Sequence, residues 1–375
     1  MLSYGRHSID AADIEAVVSV LQGDWLTTGP AVDQFEAALT DWAGGTPCVS
    51  VTSGTAALHV AYAALGVGHG DHVVTSPMTF VATAATAYAL GANVDFADVD
   101  YDSGLIDPES IKPLIKSNTK VISAVDYAGQ PCDMDTIGDI ARSAGAYTLE
   151  DAAHSIGSLY KGQLVGSIAD ITTFSFYPTK NVTTGEGGAV AAKDPEIFDR
   201  ARKYKMHGLV RDRAKMRYPE EGAWHQEVHE FGLNYRLPDI LCALGTTQLA
   251  RLEEFKAKRK AIVERYNEAF ATVDGLKLPT CAPGNDPVWH LYPLRVLEGR
   301  RREVFDKLRA DGIGVQVNYI PAYWHPVLED LGFKRGLCPN AEKLYSEEIS
   351  LPLFVDLSPS QQDQVIEATI AALKS

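Results

Sequence analysis

A chain of 375 residues with 46% apolar content has room for a large unit of roughly 250 residues and a smaller one, each with its own core. No apolar run approaches the roughly 18 residues that span a bilayer, which argues against a membrane protein. A formal charge of -15, with no basic block that interleaves aromatics, argues against nucleic acid as a partner, while a local ring of amides can still bind a small anion.

The scattered cysteines, Cys48, Cys132, Cys242, Cys281 and Cys338, offer no CxxC pair, so neither a disulfide framework nor a metal site is expected. They read as free thiols, mostly buried. The opening stretch MLSYGRHSIDAADIEAVV carries no secretion signal, which points to a cytoplasmic protein.

From Asp10 the apolar positions Ile14, Val17, Val18 and Leu21 mark an amphipathic helix. The loop GDWLTTGPAV that follows reads, on composition, as a surface loop with one packed aromatic, Trp25. A second helix carries Phe35, Leu39 and Trp42. From Cys48 to about residue 190, β-rich runs (CVSVT, HVVTS, NVDFADV, KVISAVDYAG, AYTLED, DITTFSF, GGAVAA) alternate with helix-length stretches such as SGTAALHVAYAALG and DMDTIGDIARSAG. The alternation predicts βαβ units and an α/β fold with a mostly parallel sheet, whose ligands gather at the carboxyl ends of the strands. After NYRLPD one long helical pattern runs from Asp239 towards Tyr266, bridging to a remainder that alternates strand and helix as a small α+β domain does. The predicted division is residues 1–250 and 251–375.

Three strand ends carry unusual polar groups. TSGTAAL sets Ser53, Gly54 and Thr55 between a strand and a helix, where free amides and the Thr55 hydroxyl suit a phosphate, although such a turn is more often plain helix capping. AYTLEDAAHSIGS ends a strand on Glu150 and Asp151; the aspartate either caps the next helix or faces a cleft. Under a pyridine ring it would keep the ring nitrogen protonated and make the ring an electron sink. His154 would then sit beside the ring, although a lone histidine is more often structural. TTFSFYPTKNVTTGEGGAV brings Lys180 to the end of an apolar run, where a partly desolvated amine loses its proton more readily and can form an imine with an aldehyde. Gly185, Gly187 and Gly188 permit close turns after it, and Glu186 reads as structural.

Taken with DWLTTGPAV, MTFVAT, DYAGQPCDM, LNYRLPDI and HLYPLRV, the stretches TSGTAALH, EDAAHSIGS and FSFYPTKNVTTGEGG resemble the DegT-type sugar aminotransferases over nearly the whole chain. These are pyridoxal-phosphate enzymes of the aspartate-aminotransferase fold, fold type I. The resemblance implies that Lys180 holds pyridoxal phosphate as a Schiff base and later shuttles the proton, that Asp151 pairs with the pyridinium nitrogen, and that Phe80 stacks on the ring. It implies that Gly54, Thr55, Ala56 and Ser175 hold the phosphate, joined by Asn234 of a neighbouring subunit, with His154 near the ring oxygen. A homodimer with shared active sites is implied as well. So are two half-reactions, in which L-glutamate leaves as 2-oxoglutarate and a nucleotide-linked keto sugar is then aminated.

Within the family, YGRHSI, DWLTTG, DYAGQPCDM and GVQVNYIPAY look most like the pseudaminic-acid-pathway members, which aminate C4 of a UDP-linked 4-keto-6-deoxy-N-acetylhexosamine. By that likeness residues 1–30 form an arm in the substrate cleft, lined by Tyr4, Trp25, Leu26 and Thr27 with Asn234, Gln316, Asn318 and Tyr319. FYPTKN and VNYIP lack the histidine common in that subgroup, so GDP- or TDP-linked 4-keto or 3-keto hexoses stay open as acceptors. The reading from another class is a cofactor-binding regulator, whose usual mark, an attached DNA-binding module, is not found. Arg211 and Arg236 are the arginines considered for the donor carboxylate.

Overall fold

The computed structural model describes residues 1–374. The β-rich runs assemble into a seven-stranded sheet: β1 (Cys48–Val51), β2 (His72–Thr75), β3 (Asn93–Phe96), β4 (Thr119–Val125), β5 (Tyr147–Asp151), β6 (Ile171–Ser175) and β7 (Gly188–Ala192). The spatial order is β1-β7-β6-β5-β4-β2-β3. Strands β2 to β6 run parallel, and β7 lies antiparallel to both β6 and β1. Val, Ile and Ala fill the central strands on both faces, as expected of a sheet covered by helices such as Gly54–Ala64 and Met134–Ala144.

A second, antiparallel sheet belongs to the C-terminal part: β8 (Leu276–Lys277), β9 (Tyr292–Val296) and β10 (Glu348–Leu351), with β9 in the middle. Leu2 pairs with Ile313, and the Gly314 N–H donates to the Leu2 carbonyl at 2.8 Å, so the N-terminal residues join this C-terminal unit. No helix of the described residues is long and apolar enough to cross a membrane.

Two elements differ from the sequence reading. The pattern from Asp239 to Tyr266 is not one helix but two, Asp239–Ala250 and Leu252–Phe270, broken at Arg251. Arg251 bonds Asp10 and Asp13 of the first helix. Beyond the break, Leu252 and Phe255 pack in a core with Phe35 and Phe176, whereas Tyr266 and Phe270 pack in a second core with Tyr292 and Leu294, so the second helix contributes to both. The first helix, Ala11–Gln22, leaves its apolar stripe outside: Ile14 and Leu21 are 58% and 56% exposed. Its one buried residue is Asp13, whose carboxylate accepts from Thr247, Gln248 and Arg251. The helix is thus docked by a buried carboxylate with several donors and not by its apolar face.

Candidate active site

The carboxyl ends of β5 and β6, the start of the helix Gly54–Ala64 and the segment Gln316–Tyr319 enclose a cavity of ≈ 600 Å³. Lys180 enters it from the turn after β6, where its backbone N–H donates to the Tyr177 carbonyl at 2.9 Å. Burial brings its amine down to about 8, with Asp151 pulling weakly the other way. The glycines after it answer two local demands. Gly185 takes φ +81°, and a Cβ on Gly188 would lie 2.4 Å from the Ser53 carbonyl oxygen, so β7 can press against the start of the helix.

Asp151 closes β5, is 5% exposed, and lines the same cavity. Its Oδ2 accepts the Thr83 hydroxyl at 2.7 Å and its Oδ1 the Ala153 N–H at 3.3 Å. Burial still pushes this carboxyl up, so it is better suited to a cationic partner than to water.

Ser53 caps the helix by accepting the Ala56 N–H at 3.1 Å. Ala56, which the family resemblance also sets at the phosphate, gives its N–H to this cap and is not among the residues that line the cavity. The amides at the first two helical positions, Gly54 and Thr55, lack intrahelical acceptors. Gly54, Thr55 and Ser175 all line the cavity, and a Cβ on Gly54 would meet the Ser175 Cβ at 2.8 Å. Glycine therefore lets the helix start abut Ser175, forming a cradle for an anion. Phe80, 62% exposed, stands at the rim.

His154 is buried behind the cavity wall, with Nε2 3.1 Å from the Tyr319 hydroxyl and its ring centroid 4.3 Å from that of His290. His290, which no sequence argument singled out, is the imidazole that lines the cavity. Burial holds both rings well below the usual histidine value, and Lys180 adds to this, so both are neutral. The Nδ1 of each is buried without a partner among the described residues.

Tyr4, Gln316, Asn318 and Tyr319 line the cavity as expected. Trp25, Leu26, Thr27 and Asn234 do not; all four are exposed and lie outside the cavity of their own chain. Arg211 sits in a separate groove with Lys215, and neither it nor Arg236 is among the residues that line the cavity. Among the described lining residues Lys180 is the one Lys or Arg side chain. Glu186, read as structural, is exposed and lines the cavity instead. Thr83 and His290 were missed although both lie in motif stretches, MTFVAT and HLYPLRV. The alanine-rich helix Ala82–Ala89 carries two buried threonines, Thr83 and Thr86, and its sequence alone does not say which of them reaches the site. An anion cradle, a readily deprotonated amine and a buried carboxylate in one cavity fit pyridoxal phosphate.

Comparison with known proteins agrees. The model of the DegT/DnrJ/EryC1/StrS aminotransferase family matches residues 7–369. The chain is similar to the spore coat polysaccharide biosynthesis protein SpsC of Bacillus subtilis, 39% identical over 373 residues that cover 98% of this chain and 96% of that one. It is similar to the UDP-4-amino-4,6-dideoxy-N-acetyl-beta-L-altrosamine transaminase of Campylobacter jejuni, 36% identical over 363 residues, with 96% and 94% covered. The putative sugar aminotransferase Spr1654 from Streptococcus pneumoniae, solved in its PMP form, superposes with a TM-score of 0.94 at 30% identity over 100% of this chain and 99% of that one. The same protein is also solved in its PLP form. The chain belongs to the DegT/DnrJ/EryC1/StrS aminotransferase family and is a sugar aminotransferase that works with pyridoxal phosphate.

Proposed function

We propose that the enzyme moves the amino group of L-glutamate to C4 of a UDP-linked 4-keto-6-deoxy-N-acetylhexosamine. What supports the amino transfer is the placement of Lys180, a partly desolvated amine in one cavity with Asp151 and the helix-start cradle; what supports the choice of sugar is the likeness to the Campylobacter jejuni altrosamine transaminase. Pyridoxal phosphate supplies an aldehyde carbon and an electron-withdrawing ring, through which an amino group passes from donor to acceptor.

The chain's own residues divide the rest of the work. Lys180 Nζ, with a fraction of its amine unprotonated near neutral pH, anchors the cofactor and later takes and returns the proton of the reacting carbon. Asp151 holds the ring nitrogen, and Thr83 keeps its Oδ2 aimed. Gly54, Thr55 and Ser175 hold the phosphate, Phe80 stacks over the ring, and His154 supports the ring oxygen's side. Tyr4, Gln316, Asn318 and Tyr319 receive the sugar.

A homodimer is part of the proposal. Trp224 and Phe231, close in sequence to Asn234, are 82% and 97% exposed, and the first helix exposes Ile14 and Leu21 close in sequence to Trp25 and Leu26. Exposed aromatic and aliphatic side chains at these positions would suit a partner's surface. A second copy would cover them and bring Asn234, Trp25, Leu26 and Thr27 to the neighbouring cavity. Similarity to SpsC favours a second reading, amination of another nucleotide-linked 4-keto or 3-keto hexose.

A product assay with UDP-, GDP- and TDP-linked 4-keto sugars tests both readings. The expected outcome is amination of the UDP-N-acetylhexosamine with one glutamate consumed per product. Lys180→Ala is expected to abolish borohydride trapping of the cofactor and to slow turnover by about 10³-fold or more. Preference for a GDP- or TDP-sugar would replace the first reading by the second. Undiminished turnover in Lys180→Ala would remove the assigned base.

A further inference from the structure

Glu348, at the start of β10, is fully buried, and nothing above assigns it a role. Its Oε2 accepts the Asn318 N–H at 2.7 Å, and its Oε1 accepts the Ser350 hydroxyl. No cation of the described residues forms an ion pair with it. Burial therefore pushes the carboxyl up to about 8, with Ser350, Asn318 and Arg301 drawing it back. A buried acid without a cation costs stability that an apolar residue would not, so its use must lie in what it holds.

What it holds is a corner of the active site. The backbone of Gln316 pairs with that of Ser350, at 2.8 and 3.3 Å, and hangs the segment from the edge of the small sheet. The next fixed point is the Asn318 N–H on Glu348. From there the Asn318 carbonyl accepts the Tyr127 hydroxyl at 2.5 Å, its Oδ1 accepts the Tyr4 hydroxyl at 3.3 Å, and the Tyr319 hydroxyl meets His154 Nε2 at 3.1 Å. Tyr319 and Lys180 line the same cavity, and the His154 ring, buried against Tyr319, is kept neutral by burial and by Lys180.

We propose that Glu348 is a positioning residue: by capturing the Asn318 N–H it aims the Tyr319 hydroxyl at His154 and so sets the polarity that the Lys180 amine meets. The proposal rests on Lys180 being the cofactor's anchor.

The test is a spectrophotometric pH titration of the holoenzyme, reading the midpoint of the cofactor's visible band. Glu348→Gln keeps the reach of the side chain and removes its ionisation. Glu348→Asp keeps the acid and withdraws it by roughly 1.5 Å, one carbon–carbon bond. Tyr319→Phe removes the hydroxyl itself. Glu348→Asp and Tyr319→Phe are expected to move the midpoint in the same direction by about half a unit or more, roughly threefold in the proton equilibrium, with Glu348→Gln unchanged. An unmoved midpoint in Glu348→Asp or in Tyr319→Phe overturns the proposal, as does a shift in Glu348→Gln as large as that in Glu348→Asp. Borohydride trapping of the cofactor that survives Lys180→Ala would instead sink the anchor assignment, which separates the two failures.

Discussion

Burial sets the proton affinity of each group at the Lys180 site. The amine comes down to about 8 from an ordinary 10.5 because the folded chain desolvates the ammonium. In the cofactor-free protein the unfolded chain therefore binds this proton more tightly than the folded chain. Stability then rises as the pH climbs from the folded value to the unfolded one, and below that window the penalty is present in full. Lys180→Met is accordingly expected to stabilise the cofactor-free protein at pH 7 by about 1–2 kcal/mol, a gain that disappears by about pH 10.5. Thermal melts at the two pH values check this, and an equal increment at both would refute it. Asp151 has the opposite sign of charge and the same cause of shift, so a cationic ring nitrogen relieves a cost that the empty carboxyl bears alone.

Among the elements, the hairpin of Leu209–Val210 and Glu227–Val228 is unusual in being closed from within yet open to water. One carboxylate, Glu227, accepts the N–H groups of Arg217 (2.8 Å) and Tyr218 (2.6 Å) and meets the imidazoles of His225 (3.3 Å) and His229 (2.5 Å). The hairpin is thus shaped without any core of its own, and Phe231 is left 97% exposed. A preformed arm with bare aromatics suits docking on a second copy, where buried aromatics dominate the binding energy. If the proposed homodimer forms through this arm, Phe231→Asp is expected to cost about 2 kcal/mol or more of association and to shift the sedimentation velocity profile to that of a monomer. An unchanged sedimentation coefficient at micromolar concentration would count against this interface.

Across the whole molecule, the side of the seven-stranded sheet and that of the small antiparallel sheet are joined by more than the helix Leu252–Phe270. The Tyr101 hydroxyl donates to both oxygens of Glu347, at 2.7 and 3.0 Å, while Arg295 donates to the Tyr101 carbonyl and lays its guanidinium 3.8 Å from the ring centroid. Arg295 is 2% exposed, so this clasp works in a desolvated setting where hydrogen bonds to charged groups count more. Tyr101→Ala is expected to destabilise the protein by about 2–3 kcal/mol in urea unfolding and to speed proteolysis between the two sheets. Unfolding at the wild-type urea midpoint would show the clasp to be incidental.

The seven strands, and the placing of Lys180, Asp151 and Thr55 at strand ends and a helix start, were legible in the sequence because each depends on a short stretch of chain. Strand and helix periods come from backbone geometry, and a strand-end lysine or a helix-start hydroxyl is placed by its immediate neighbours. Contacts made across long loops carry no such local mark. Thr83 bonds Asp151 across 68 residues, Tyr319 meets His154 across 165, and the helix break at Arg251 follows from carboxylates at the other end of the chain. The same holds for the first helix, whose apolar period was plain while its orientation was set by Asp13 meeting donors about 235 residues away. The sequence by itself determined the elements and the chemistry at their ends; the tertiary structure alone decided which faces are buried and which distant groups complete the site, because burial is a property of neighbours in space.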